Sequence, residues 1–110
     1  MGITKSDFFS ERQNELAGQL KALAHPARIA IIEFLLKANS CICGDIVNEL
    51  PLSQATVSQH LKELKTVGLI KGSIEGNSIC YCIDEENFRM LTERLNAIQK
   101  ELENKNKQCC

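Results

Sequence analysis

From Ser6 to Ala24 the apolar residues Phe9, Leu16, Leu20 and Leu23 recur at helical spacing. This predicts an amphipathic first helix, which His25-Pro26 ends. Pro26 suits the first turn of a second helix, and Ala27 to Ala38 is apolar on nearly every side through Ile29, Ile31, Ile32, Phe34, Leu35 and Leu36. Such a segment belongs at the centre of the core. Asn39-Ser40 offers a cap for a short third helix, roughly Ile42 to Leu50, which Pro51 stops. Ser53 is an N-cap for a fourth helix, in which Val57, Leu61 and Leu64 form a buried stripe that runs until Val67-Gly68. Two apolar helical segments joined by the short turn Pro51-Leu52-Ser53 make a helix-turn-helix unit.

The period then changes. Leu69 to Ile74 and Ser78 to Ile83 are short, rich in β-branched residues and flank Glu75-Gly76-Asn77, which predicts a β-hairpin. In its second strand Ile79, Tyr81 and Ile83 share one face while Cys80 and Cys82 share the other. The last helix starts near Asp84, and Phe88, Leu91, Leu95, Ile98 and Leu102 follow the 3-4-3-4 spacing of a coiled-coil seam. A seam on a terminal helix wants a partner, so a homodimer is expected. The expected fold class is mostly α with a small β-hairpin, a winged helix-turn-helix in one domain, 1–110. Within it fall the first two helices at 6–38, the helix-turn-helix at 41–67, the wing at 69–83, the dimerisation helix at 84–104 and a mobile tail at 105–110.

Composition narrows the classes. At 110 residues, with 44% hydrophobic and 25% charged positions, the chain is one small domain rather than a disordered segment. Its longest apolar stretch, Ala27 to Leu36, contains Arg28 and Glu33 and is too short for a membrane span. Six cysteines suggest a secreted disulfide scaffold, but Met1 to Ser10 lacks a signal peptide's basic segment and apolar run, so a cytoplasmic thiol protein is expected. The cysteines come as three close pairs, a spacing that chelates or switches more readily than it staples loops. The net charge of −1 argues against a general polyanion binder.

On the fourth helix Ala55, Ser58, Gln59, Lys62 and Thr66 lie opposite the apolar stripe. This face would enter the major groove of double-stranded DNA. Ser53, Gln54, Ala55, Thr56, Ser58 and Gln59 make an almost uncharged first two turns able to meet base edges, while Lys62 and Lys65 would contact phosphates. Ser53 to Ser78 holds three lysines and two glutamates, a net of +1, so one protomer alone would bind weakly. Two protomers joined through the terminal helices would double the contacts and match a palindromic site.

Leu20 to Leu36 (LKALAHPARIAIIEFLL), Cys41 to Val47 (CICGDIV), Leu52 to Ile70 (LSQATVSQHLKELKTVGLI) and the wing ending in Tyr81 together resemble the ArsR/SmtB family of small winged-helix repressors. Members release DNA on binding metal or metalloid ions. The resemblance implies a homodimeric repressor that pairs through its first and last helices, which puts Phe9, Leu16 and Leu20 beside the seam of the last helix, with Gln54, Ala55, Ser58 and Gln59 at DNA-contacting positions. Cys41-Ile42-Cys43-Gly44-Asp45 resembles the Cys-x-Cys-x-Asp segment of the family's arsenical and soft-metal sensors, at the start of the third helix. Thiolates suit trivalent arsenic or antimony, with cadmium or lead as other soft ions, and a helix N-terminus favours the thiolate. In a regular helix, positions i and i+2 point about 200° apart, so joint ligation by Cys41 and Cys43 needs an irregular segment. Ile46 stands where the best-known arsenic sensors have a third cysteine, and Cys109 and Cys110 of the tail are the expected auxiliaries.

Cys80 and Cys82 are open to two readings, a separate thiol pair or simple packing positions. The zinc-type site that some members of the family build between paired last helices is not expected, because no histidine follows His60 and Asn87 and Ile98 stand where the resemblance would place ligands. His25 reads as a helix-boundary residue and His60 as a partly packed surface histidine. An alternative function is a repressor responsive to thiol oxidation or persulfide. A remote one is a lipid-anchored interaction module, since Met1 to Ser6 loosely fits a myristoylation pattern and Cys109-Cys110 resembles some prenylated ends; no polybasic segment accompanies either. No Ser-His-acid set or phosphate-cradling glycine loop can be assembled, so an enzyme is not expected.

Overall fold

The computed structural model describes residues 8–38, 41–43, 50–75 and 78–105. Helix α1, Glu11–Leu23, begins later than its apolar spacing suggested. Ser10 and Gln13 fix the start reciprocally: the Gln13 amide donates to Ser10 Oγ at 3.1 Å and the Ser10 amide to Gln13 Oε1 at 3.0 Å. Phe9 therefore precedes the helix and is exposed. Helix α2, Pro26–Lys37, has His25 as its N-cap, whose Nδ1 accepts from the Ala27 amide at 3.1 Å, with Pro26 at the first position as expected. It buries Ile31, Ile32 and Leu35 but leaves Ile29 and Leu36 exposed.

The helix expected from Ile42 does not start there. Ile42–Cys43 is strand β1, antiparallel to the wing strand β3, Ser78–Ile83, and β3 also pairs with β2, Ile70–Glu75. The sheet order is β1-β3-β2. The physical reason is non-local: Ile42 and Cys43 can extend the hairpin's free edge, with backbone partners Tyr81 and Cys80. The Asn39-Ser40 cap, the remainder of that helix at 44–49, the Gly76-Asn77 turn, the Met1 to Ser6 pattern and Cys109-Cys110 lie outside the described residues.

Helix α3, Gln54–Thr66, has Ser53 as its N-cap and buries Val57, His60, Leu61 and Leu64. It ends on Gly68 at φ 81°, with the Leu69 amide bonded to Leu64 O at 3.1 Å and the Gly68 amide to Lys65 O at 3.0 Å. The chain passes directly from there into β2, so helix and wing share one tight joint. Helix α4, Glu85–Asn104, starts on Asp84, whose Oδ1 accepts from the Asn87 amide at 3.1 Å. Asn87 Nδ2 also donates to Gly68 O at 3.0 Å, tying the joint to α4.

Ile31, Val57, Leu64, Leu69, Ile70 and Leu91 are the most deeply buried members of one core shared by the helices and the sheet. Leu91 is spent inside its own protomer, and Leu16 and Phe88 pack against the same core. These three expected interface positions, two of them on the seam, owe their burial to the intramolecular core. Leu20, Leu95, Ile98 and Leu102 keep 40%, 41%, 58% and 60% of their surface exposed, so the seam beyond Leu91 has no cover within the described chain. Among the described residues no helix is long and apolar enough to cross a membrane.

Candidate nucleic-acid interface and cysteine cluster

The amphipathic period of α3 decides its two faces. Because Val57, Leu61 and Leu64 are buried, Gln54, Ala55, Ser58, Gln59, Lys62 and Lys65 are left on the exposed surface. Ser53 and Thr56 are exposed too, but they serve the cap: the Thr56 amide donates to Ser53 Oγ at 3.3 Å, and the two hydroxyls bond each other at 2.9 Å. Gln59 Nε2 donates to Glu63 Oε1 at 3.0 Å, which orients its amide along the helix. Lys65 reaches toward the wing, where a Cβ added at Gly72 would meet its Nζ at 3.5 Å. The exposed α3 face, the Lys65 cation and the wing thus lie side by side.

Behind that face lies a polar cluster that sequence reasoning missed. His60 is buried, not a surface residue: its Nδ1 accepts from Arg28 Nε at 3.0 Å, and its ring lies 4.4 Å from that of His25. Arg28 Nη1 also donates to Ala22 O at 3.2 Å, so one guanidinium ties the end of α1 to the middle of α3. Burial, then the neighbouring charges of His25 and Arg28, hold His60 below its ordinary pKa. The available sequence signal was that His60 sits beside Leu61 on the edge of the apolar stripe.

The cysteines are arranged differently from expectation. Cys41 and Cys82 form a disulfide with a Cα separation of 4.6 Å, although they are 41 positions apart. Cys43 stands opposite Cys80 in the strand register, and Cys80 is fully buried and also disulfide-bonded. The expectation of separate close-sequence pairs is thereby corrected. Antiparallel pairing of two Cys-x-Cys segments sets each cysteine across from one on the other strand. The helix N-terminus invoked to favour thiolates at Cys41 and Cys43 is not there either, since these residues enter and occupy a strand. The repeated Cys-x-Cys spacing, with a period of two in both segments, was the signal for this pairing. Among the described residues no group of three or more His, Cys, Asp and Glu side chains is placed to hold a metal ion. Asn87, at a position where a helix-borne zinc ligand was considered, is committed to Gly68 O and Asp84 Oδ2.

Comparison with known proteins places these features. Residues 25–71 match the family model described as bacterial regulatory protein, arsR family. A cadmium resistance transcriptional regulatory protein CadC homolog from Staphylococcus aureus is 33% identical over 99 residues, 89% of this chain and 81% of that protein. The arsenical resistance operon repressor of Staphylococcus xylosus is 31% identical over 84 residues, 76% of this chain and 80% of that one. A homodimeric winged helix-turn-helix DNA-binding domain from Mycobacterium bovis, solved in solution, shares the fold with a TM-score of 0.66 at 23% identity, covering 98% of both chains. The exposed polar face of α3, the β2–β3 wing joined to it at Gly68 and these relatives agree: the chain belongs to the ArsR family of bacterial regulatory proteins.

Proposed function

We propose that this regulator is a homodimeric repressor that reads a palindromic operator with α3 and releases it when a thiophilic ion binds its cysteine thiolates. Being a transcriptional regulator, it is not an enzyme. Gln54, Ala55, Ser58 and Gln59 meet base edges, Lys62 and Lys65 meet phosphates, and Ser53 and Thr56 hold the helix end that enters the groove. Two copies join through Phe9 and Leu20 of the N-terminal region and Leu95, Ile98 and Leu102 of α4, apolar positions that stay exposed in one protomer.

The observation that carries the ligand part is the pairing of β1 with β3. It supplies near Cys41 and Cys43 the further sulfur that the sequence lacks at Ile46, and it does so without the tail. Reduced, the two strands offer soft donors suited to trivalent arsenic or antimony, then to cadmium or lead, and poorly suited to zinc in competition with histidine-bearing sites. Cys109 and Cys110 remain auxiliaries. Two relatives whose names speak of cadmium and arsenical resistance support the same ligand class.

The test uses a duplex selected by the reduced protein from a random-sequence pool. Arsenite should lower its affinity by about tenfold or more, as expected of a coupling of one to three kcal/mol. Cys41→Ser and Cys43→Ser should abolish the response, with deletion of 105–110 separating the tail's part. Unchanged affinity with arsenite, antimonite, cadmium and lead would sink the ion-binding part.

A further inference from the structure

Cys41 is exposed, whereas Cys80 is completely buried. The Cys41–Cys82 bond borders an open pocket of about 740 Å³ between the end of α2 and the wing, lined also by Leu35, Leu36, Lys71 and Glu85. Such a volume admits a small molecule. Lys71 is the backbone partner of Cys82 in the β2–β3 register and lines the same pocket, so a cationic residue borders the bond. Asp84, Glu85 and Glu86 line the same pocket and oppose an anionic visitor.

We infer that Cys41 and Cys82 are a reversible dithiol–disulfide switch, exchanged through this pocket by an uncharged low-molecular-weight disulfide, and that closing it lowers operator affinity. The inference rests on the operator-binding reading above but needs no ion. In the forward direction the Cys41 thiolate attacks one sulfur of the small disulfide and expels the first small thiolate. The Cys82 thiolate then attacks Cys41 Sγ in the mixed disulfide, closing the Cys41–Cys82 bond and expelling the second. Two electrons pass from the cysteines to the small disulfide, and the two protons lost by the cysteines end on the two small thiols released.

The consequence for DNA follows from what the bond joins. β1 leads by way of 44–52 to Ser53, the cap of the reading helix, and β3 is the wing's second strand. Reduced, the β1 edge and the wing can adjust separately as helix and wing settle on a duplex. Closed, they move as one, the constraint that an ion bridging the same sulfurs would impose.

Reduced full-length protein, bound to its selected duplex, is treated with 2-hydroxyethyl disulfide and followed by fluorescence anisotropy and peptide mass mapping. The expected result is a loss of affinity of about tenfold or more, reversed by dithiothreitol, with the 41–82 link mapped in the closed form. Cys41→Ser and Cys82→Ser, each checked for folding by circular dichroism, should show the same affinity before and after treatment. Unchanged affinity of fully linked protein overturns the inference, as does a loss that persists in both serine variants. Arsenite on the reduced protein is the parallel arm. Release by the disulfide but not by arsenite supports the switch and rejects the ion; the reverse rejects the switch alone. Failure of the reduced protein to bind any duplex rejects the operator reading itself.

Discussion

Gly68 is the joint between α3 and the wing, and replacing it with alanine tests whether that joint is built as described. Its φ of 81° lies in the left-handed region, which costs a residue bearing a Cβ roughly 1–2 kcal/mol. The added Cβ would also sit 2.7 Å from Asn87 Nδ2, far inside contact distance. Asn87 must then swing away, losing its bonds to Gly68 O at 3.0 Å and Asp84 Oδ2 at 3.2 Å, each worth about 1 kcal/mol. Gly68→Ala should therefore destabilise by about 3 kcal/mol, which in a domain of this size lowers the melting temperature by more than about 10 °C. Urea unfolding under reducing conditions at fixed protomer concentration measures it, since dimerisation would otherwise shift the apparent stability. Asn87→Ala removes the obstacle together with its hydrogen bonds, so the double variant should cost about 2 kcal/mol less than the two singles added. A single-variant cost below about 0.5 kcal/mol, or strict additivity of the pair, would refute the reasoning.

Other expectations follow from the same geometry. Acid should weaken the fold: His60 is held below its usual 6.5, so below that pH the unfolded chain takes up the proton before the folded one does. Stability is thus complete above pH 6.5 and declines as pH falls beneath it; in His60→Gln, urea titrations across pH 5–7 should show a shallower decline. Lys62→Ala should reduce the slope of log affinity against log salt by about 2 for a dimer, one phosphate contact per protomer, and leave sequence preference intact. Joint replacement of Leu95 and Ile98 by glutamate should yield monomers in sedimentation velocity, and a persisting dimer would move the interface elsewhere. The Cys41–Cys82 bond, spanning 41 positions, should stabilise the oxidised chain by about 4 kcal/mol relative to Cys41→Ser by the chain-entropy estimate.

Periodicity alone was enough for α2, α3, the hairpin and α4, because their apolar spacing and their caps agree. Ser53, Gly68 and Asp84 each stand where a helix must begin or end, and the structure uses all three. The exposed face of α3 was legible for the same reason: once Val57, Leu61 and Leu64 are buried, helical geometry leaves no choice for Gln54, Ser58, Gln59 and Lys62. The start of α1 departs from the periodicity because Phe9 fits the apolar spacing while the Ser10–Gln13 capping box, a stronger local signal, starts the helix only after it.

Tertiary structure decided the rest. An apolar spacing says that a residue is buried but not by what, so the seam of α4 divides at Leu91, inward against the domain's own core and outward beyond it. His60 became a buried acceptor only because α2 brings Arg28 and His25 against it. Above all, Cys41 and Cys82 are 41 positions apart, and their meeting depends on β1 joining the edge of the wing. Short strands carry too little local preference to announce their partners, because the hydrogen bonds that make them strands belong to another part of the chain.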